Sequence, residues 1–128
     1  MSFPTTPDLK VVAVDFLRKA ATGSAEDAFA QHVSPAFRHH HPNFAGDAAS
    51  LRDAMQQNSQ RFPGRLIEVQ HVIQEGDLVA VHSRIRFDTT GPSIATMHLL
   101  RFQQNLIVEL WDITQPEPDP VINEHGMF

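Results

Sequence analysis

The stretch from Ser93 to Gln115 constrains the fold of this chain more than any other. Two apolar, β-rich runs flank the polar tripeptide Gln103-Gln104-Asn105, which predicts a β-hairpin turning near residue 105. Each run carries one conspicuous ionisable residue. His98 sits between Met97 and Leu99, and Asp112 sits between Ile113 and Trp111, the only tryptophan. Folding the runs together sets position 98 beside 111 or 112. Side chains alternate along a strand, so His98, Leu100 and Phe102 share one face, and Val108, Leu110 and Asp112 share one face of the return strand. A histidine and a carboxylate then look into one apolar space.

The rest of the chain supplies helices first and strands afterwards. Thr6 caps a first helix, with Pro7 at its first position and Asp8 suited to its positive end. Leu9, Val12, Ala13, Phe16, Leu17 and Ala20 form its apolar stripe, and Gly23 ends it. Ser24 opens a second helix with a capping-box-like pattern, closed by Ser34-Pro35. Residues 36–46 show no period and contain Pro42, so they read as a loop or short extended piece. Asp47 caps a third helix through Leu51, Ala54, Met55 and Phe62, closed by Pro63-Gly64.

Strands over 66–74 and 78–87 then meet at the tight turn Glu75-Gly76-Asp77, and a longer turn over 88–92 leads into the opening hairpin. Pro116, Pro118 and Pro120 end regular structure and leave a tail over about 116–128. With no repeat or linker, residues 1–128 read as a single domain. Segregated helices and strands predict an α+β fold. Twist is expected to curl a four-stranded antiparallel sheet into a cone-shaped α+β barrel, with three N-terminal helices packed on it and a cavity at the open end.

Composition removes several function classes. A formal charge of −5 without a basic stripe argues against nucleic acid, and no polybasic run marks a membrane surface. With no cysteine there is no disulfide framework and no thiolate site, which suits a reducing cytosol. Residues 1–7 lack the charged and apolar segments of a leader, and no apolar run approaches a transmembrane length, so the expectation is a soluble cytoplasmic protein. Patterns for dinucleotide, nucleotide or Ser-His-Asp chemistry are missing.

Three segments carry a resemblance: Phe37-Arg38-His39-His40-His41-Pro42, Glu75-Gly76-Asp77-Leu78-Val79-Ala80-Val81-His82 and Ile107-Val108-Glu109-Leu110-Trp111-Asp112. On this order of elements, they make the chain resemble the SnoaL-like polyketide cyclase branch of the nuclear-transport-factor-like cone fold. The ending, Asn123-Glu124-His125-Gly126-Met127-Phe128, is similar to the tail of bacterial relatives labelled as aldol-condensing. Where those relatives carry His-His-Asn-Pro, this chain has His40-His41-Pro42 preceded by His39. The resemblance implies that Asp112 is an acid/base on the last strand with His98 beside it. It also implies that the loop between the second and third helices lies near a cavity mouth, where His40 or His41 lines it.

The residue types fit that chemistry. Aldol ring closure removes a proton next to a carbonyl and returns one to the forming alkoxide. A carboxyl walled by Leu100, Phe102 and Leu110 is expected to have its pKa raised toward the range where it both accepts and gives a proton. His98 either orients that carboxylate or donates to a substrate oxygen. Of the adjacent histidines only His39 and His41 point the same way, and a polar rim is favoured over a metal site. Phe16, Phe37 and Trp111 are further candidates for the pocket. His82 faces either the cavity or the outer sheet surface.

The expectation is an enzyme without metal or organic cofactor that acts on a mostly apolar carbonyl compound by intramolecular aldol condensation, pairing as a homodimer through the outer sheet face. The alternatives are a non-catalytic binding domain of the same fold, and an isomerase or dehydratase using the same pair.

Overall fold

A computed structural model describes residues 6–128; the leader reading rests largely on residues 1–5, outside the described residues. The elements follow in the order α1 (Leu9–Ala21), α2 (Ala25–His32), β1 (Val33–His39), α3 (Ala48–Arg61), β2 (Leu66–Glu75), β3 (Leu78–Arg86), β4 (Ser93–Gln103) and β5 (Leu106–Pro116). The architecture is a cone-like α+β fold with helices packed on one face of a sheet. Among the described residues no helix is long and apolar enough to cross a membrane.

The sheet has five strands rather than four, in the order β1-β5-β4-β3-β2. The additional strand, β1, takes in residues 36–39 of the segment read as a loop or short extended piece. It runs parallel to β5, with Val33 opposite Ile107 and His39 opposite Leu110. Its register shifts between Val33 and Arg38, around Pro35, which an edge strand tolerates because one of its sides needs no partner. β1 and β2 are the two open edges, so the sheet does not close into the expected barrel.

Local chemistry sets the helix ends. The α1 cap is Asp8, two residues beyond the expected Thr6, and its carboxylate accepts from the N–H of Lys10 at 3.0 Å. Gly23 takes φ 102°, which lets the N–H of Ser24 close back on the carbonyl of Lys19 at 2.9 Å. Asp47 caps α3 through the N–H of Ser50 at 2.9 Å. The α1 stripe buries Ala13, Phe16, Leu17 and Ala20. Phe16 meets Phe29 of α2 edge-on at 5.3 Å, and Phe29 meets Phe37 of β1 at 5.9 Å. Such contacts add about 0.5–1.5 kcal/mol beyond burial.

The β4–β5 hairpin turns on Gln104 and Asn105, both at positive φ (51° and 64°), as a two-residue type I′ loop requires. Beyond the turn the register slips once. Phe102 faces Ile107, but Arg101 faces Glu109, so Val108 is an extra residue in a β-bulge. Ile107 is therefore buried, whereas Val108, expected on the inner face with Leu110 and Asp112, is only partly covered.

Candidate active site

The inner face of the sheet divides along its length. Toward the β4–β5 turn, Leu100, Phe102, Ile107 and Leu110 pack with Phe16 and Phe37 into a closed core. Toward the other end, Thr96, His98, Asp112 and Thr114 face a cavity of about 330 Å³. α1 and α3 contribute Leu17, Leu51 and Met55 to its apolar wall, and β3 and β4 contribute Ile85 and Ile94. Each strand residue advances about 3.3 Å, so Leu100 lies about 7 Å from His98 along β4 and falls beneath the helices.

Register brings the two ionisable residues together. His98 is the cross-strand partner of Asp112, and its Nε2 lies 3.3 Å from Oδ2 of Asp112. Both side chains are more than nine-tenths buried. Nδ1 of His98 and Oδ1 of Asp112 are shielded from solvent and have no hydrogen-bond partner. Such orphans are uncommon in a folded chain and mark a place where a further polar group fits.

His41 enters from the loop after β1, and its Nε2 lies 4.0 Å from the same Oδ2. Its Nδ1 accepts from the N–H of Asn43 at 3.2 Å, and Phe44 packs against its ring at 4.6 Å. His39 is engaged at both nitrogens: Nδ1 accepts from the N–H of His41 at 3.1 Å, and Nε2 lies 2.6 Å from the carbonyl of Ala45. The strand alternation expected for this triplet breaks down where β1 ends at His39. Among the described residues no group of three or more His, Asp or Glu side chains forms a metal-binding arrangement.

Burial acts most strongly on the Asp112 carboxyl and pushes its pKa up, as expected from its walls. The net direction is nevertheless downward. The polar contact and charge of His98, with the charges of His41 and Arg65, together outweigh desolvation and hold the carboxyl below its ordinary value. The Asp112 carboxyl thus favours its ionised form instead of being poised near neutrality. Arg65, between the Pro63-Gly64 turn and β2, also lines the cavity and was not foreseen from sequence.

The other candidates stand elsewhere. Of the residues expected at the pocket, His41 lines the cavity with Asp112 and His98. Phe16, Phe37, Leu100, Phe102 and Leu110 are core instead, because the helices cover that end of the sheet. His40 and Trp111 stack on each other on the outer face, with centroids 5.0 Å apart. There Nε2 of His40 lies 2.7 Å from Glu109, which also takes Nε of Arg38 at 2.9 Å. Hydrogen bonds from Arg38 and then His40 hold the Glu109 carboxyl down at about 2. His82 also lies outside, with its Nδ1 3.0 Å from Nδ1 of His71. Val79, Val81 and Ser83 occupy the inner positions of its strand.

Comparison with known proteins agrees with this architecture. AclR of Streptomyces galilaeus, described as a candidate hydroxylase, is 22% identical and superposes with a TM-score of 0.70 over 84% of this chain and 88% of its own. A Bacillus cereus protein described as a candidate polyketide cyclase is 19% identical, with a TM-score of 0.70 over 84% of this chain and 74% of its own. TsrD of Streptomyces laurentii is 14% identical, with a TM-score of 0.69 over 87% and 92%. At these identities the likeness concerns the fold. No curated protein matches the chain. A family model described as a SnoaL-like domain matches residues 13–110, which include His41, Arg65 and His98 and stop two residues before Asp112. By that match over most of its length, the chain belongs to the SnoaL-like domain family.

Proposed function

We propose that the cavity binds a small carbonyl compound and that Asp112 moves a proton to and from the carbon next to its carbonyl, leading to an intramolecular aldol condensation. The observation that carries this reading is the buried pair of Asp112 and His98, with Oδ1 of one and Nδ1 of the other unpartnered. An ionised carboxylate is the competent base, and a carboxylate of modest basicity suffices when the developing enolate is stabilised. Oδ1 takes the proton as the C–H bond breaks. His98, as imidazolium, donates from one nitrogen to Asp112 and from the other to the enolate oxygen. The enolate carbon then attacks a second carbonyl of the same molecule, and the new alkoxide recovers the proton from Asp112. These steps make up the ring-closing aldol addition, in which no atom is gained or lost.

Family membership supports a cyclase-type reaction as a working assignment, because the fold alone hosts many chemistries. The same reading includes a homodimer formed through the outer sheet face. Met97 and Ile113 are opposite one another there, and Ile73, Leu99 and Trp111 extend an apolar surface across the strands.

The test follows incorporation of solvent deuterium next to the carbonyl of small aryl ketones by NMR. The protein is expected to accelerate exchange, and Asp112→Asn to reduce it by about 10²–10⁴-fold. Equal exchange by the two proteins would remove Asp112 from the chemistry.

A further inference from the structure

Arg65 reaches the cavity as a cation without an anion bonded to it. Among the described residues its side chain makes no hydrogen bond and no ion pair within 4.0 Å, and its Nε is sealed from solvent without a partner. Its guanidinium carbon lies 5.9 Å from the ring centre of Phe87, an aromatic contact that offsets only part of the desolvation. Burial acts against its charged form, and the carboxylate of Asp112 favours it from a distance. Oδ2 of Asp112 is already taken up by His98.

Arginine does not deprotonate in proteins, and in this half-buried guanidinium the sealed Nε is left to find an acceptor. Its planar fork matches a carboxylate. The remaining wall, including Leu17, Leu51, Met55 and Ile94, suits a hydrocarbon body. A volume of about 330 Å³ lies at the small end of the range for ligand pockets, enough for a compact ring and too little for an extended fused system.

We infer that the ligand is a compact dicarbonyl acid, whose carboxylate docks on Arg65 while one of its two carbonyls lies against Asp112 and His98. This rests on reading the cavity as a ligand site and adds the substrate class. It also assigns Arg65 a binding role distinct from the proton transfer, since the cation anchors one end of the molecule and thereby orients the other.

Calorimetric titration with 2-acetylbenzoate and with its methyl ester tests the inference. The acid is expected to bind at least about tenfold more tightly than the ester, as one charge-assisted contact allows. Arg65→Gln should abolish that preference, and Arg65→Lys, which keeps the charge and loses the fork, should retain part of it. A thermal melt of each variant separates lost binding from lost folding. Equal affinity for acid and ester, a preference that survives in Arg65→Gln, or no binding of either probe at millimolar concentration would overturn the inference. Deuterium exchange on neutral ketones reads the proton-transfer proposal separately. Exchange without an acid preference sinks only the anion site, and an acid preference without exchange sinks only the reaction.

Discussion

The backbone N–H of Asn43 fixes which nitrogen of His41 faces Asp112. By donating to Nδ1 at 3.2 Å it leaves the proton of the neutral ring on Nε2, the atom 4.0 Å from the carboxylate. The loop after β1 thus presents a donor to the site.

His41→Phe is therefore expected to raise the Asp112 pKa, because it removes an Nε2–H whose positive end faces the carboxylate and holds the carboxyl down. The acid limb of the deuterium-exchange profile should move to higher pH. An unchanged limb with a reduced plateau would make His41 a packing residue instead.

Glu109 contributes to acid stability from the opposite face. Its folded pKa is about 2 against an ordinary 4.5, so its stabilising contribution is fully present above about 4.5 and is lost as pH falls toward 2. Urea midpoints measured at pH 7, 4 and 2.5 should fall steeply over that window in the natural protein. Glu109→Gln should be less stable at pH 7 and should lose less on acidification.

Leu110 tests the division of the inner face into core and cavity. Leu110→Ala should lower unfolding free energy by about 2–5 kcal/mol, measured by denaturant titration, because the side chain is fully buried among the helices. Ligand affinity of the folded variant should remain unchanged. Met55→Ala should cost less stability and alter affinity, since Met55 lines the cavity.

Met97 reports on assembly. It is 40% exposed on the outer face opposite Ile113, which is 67% exposed. Met97→Glu would bury a charge in the proposed homodimer interface and should shift the sedimentation coefficient from dimer to monomer. A monomeric natural protein would dispose of the dimer reading.

Much of the fold could be read from local pattern, because hairpins and capped helices are specified by neighbouring residues. Gln104-Asn105, Gly76 and Asp47 each carry out the turn or cap that their chemistry suits. β1 escaped this reading since its pairing with β5 joins residues about seventy positions apart, and Pro35 and Pro42 disguise an extended edge. The His98–Asp112 pair was accessible for the opposite reason, because one hairpin carries both. Arg65 comes from a different hairpin, and an arginine after Pro63-Gly64 looks like any surface residue until the tertiary fold covers it. The direction of the Asp112 pKa failed similarly. Its apolar neighbours and His98 were visible in sequence, but the closeness of the His98 contact, with the added effects of His41 and Arg65 from two other segments, was not.

The bulge at Val108 works as a phase-setter for β5. A two-residue turn at 104–105 with an unbroken ladder would put His98 opposite Trp111, and Asp112 would sit on the outer face with Met97. The one surplus residue advances everything beyond it by a single step, so the carboxylate points inward and the indole outward. Deleting Val108 would remove the bulge and leave His98 opposite Asp112, whereas a regular ladder at unchanged length would exchange the two side chains without altering either of them. The identity of this site is therefore carried by the bulge as much as by its residue types, and smoothing the bulge at constant length is a route by which a related chain could lose the chemistry while keeping every residue that performs it.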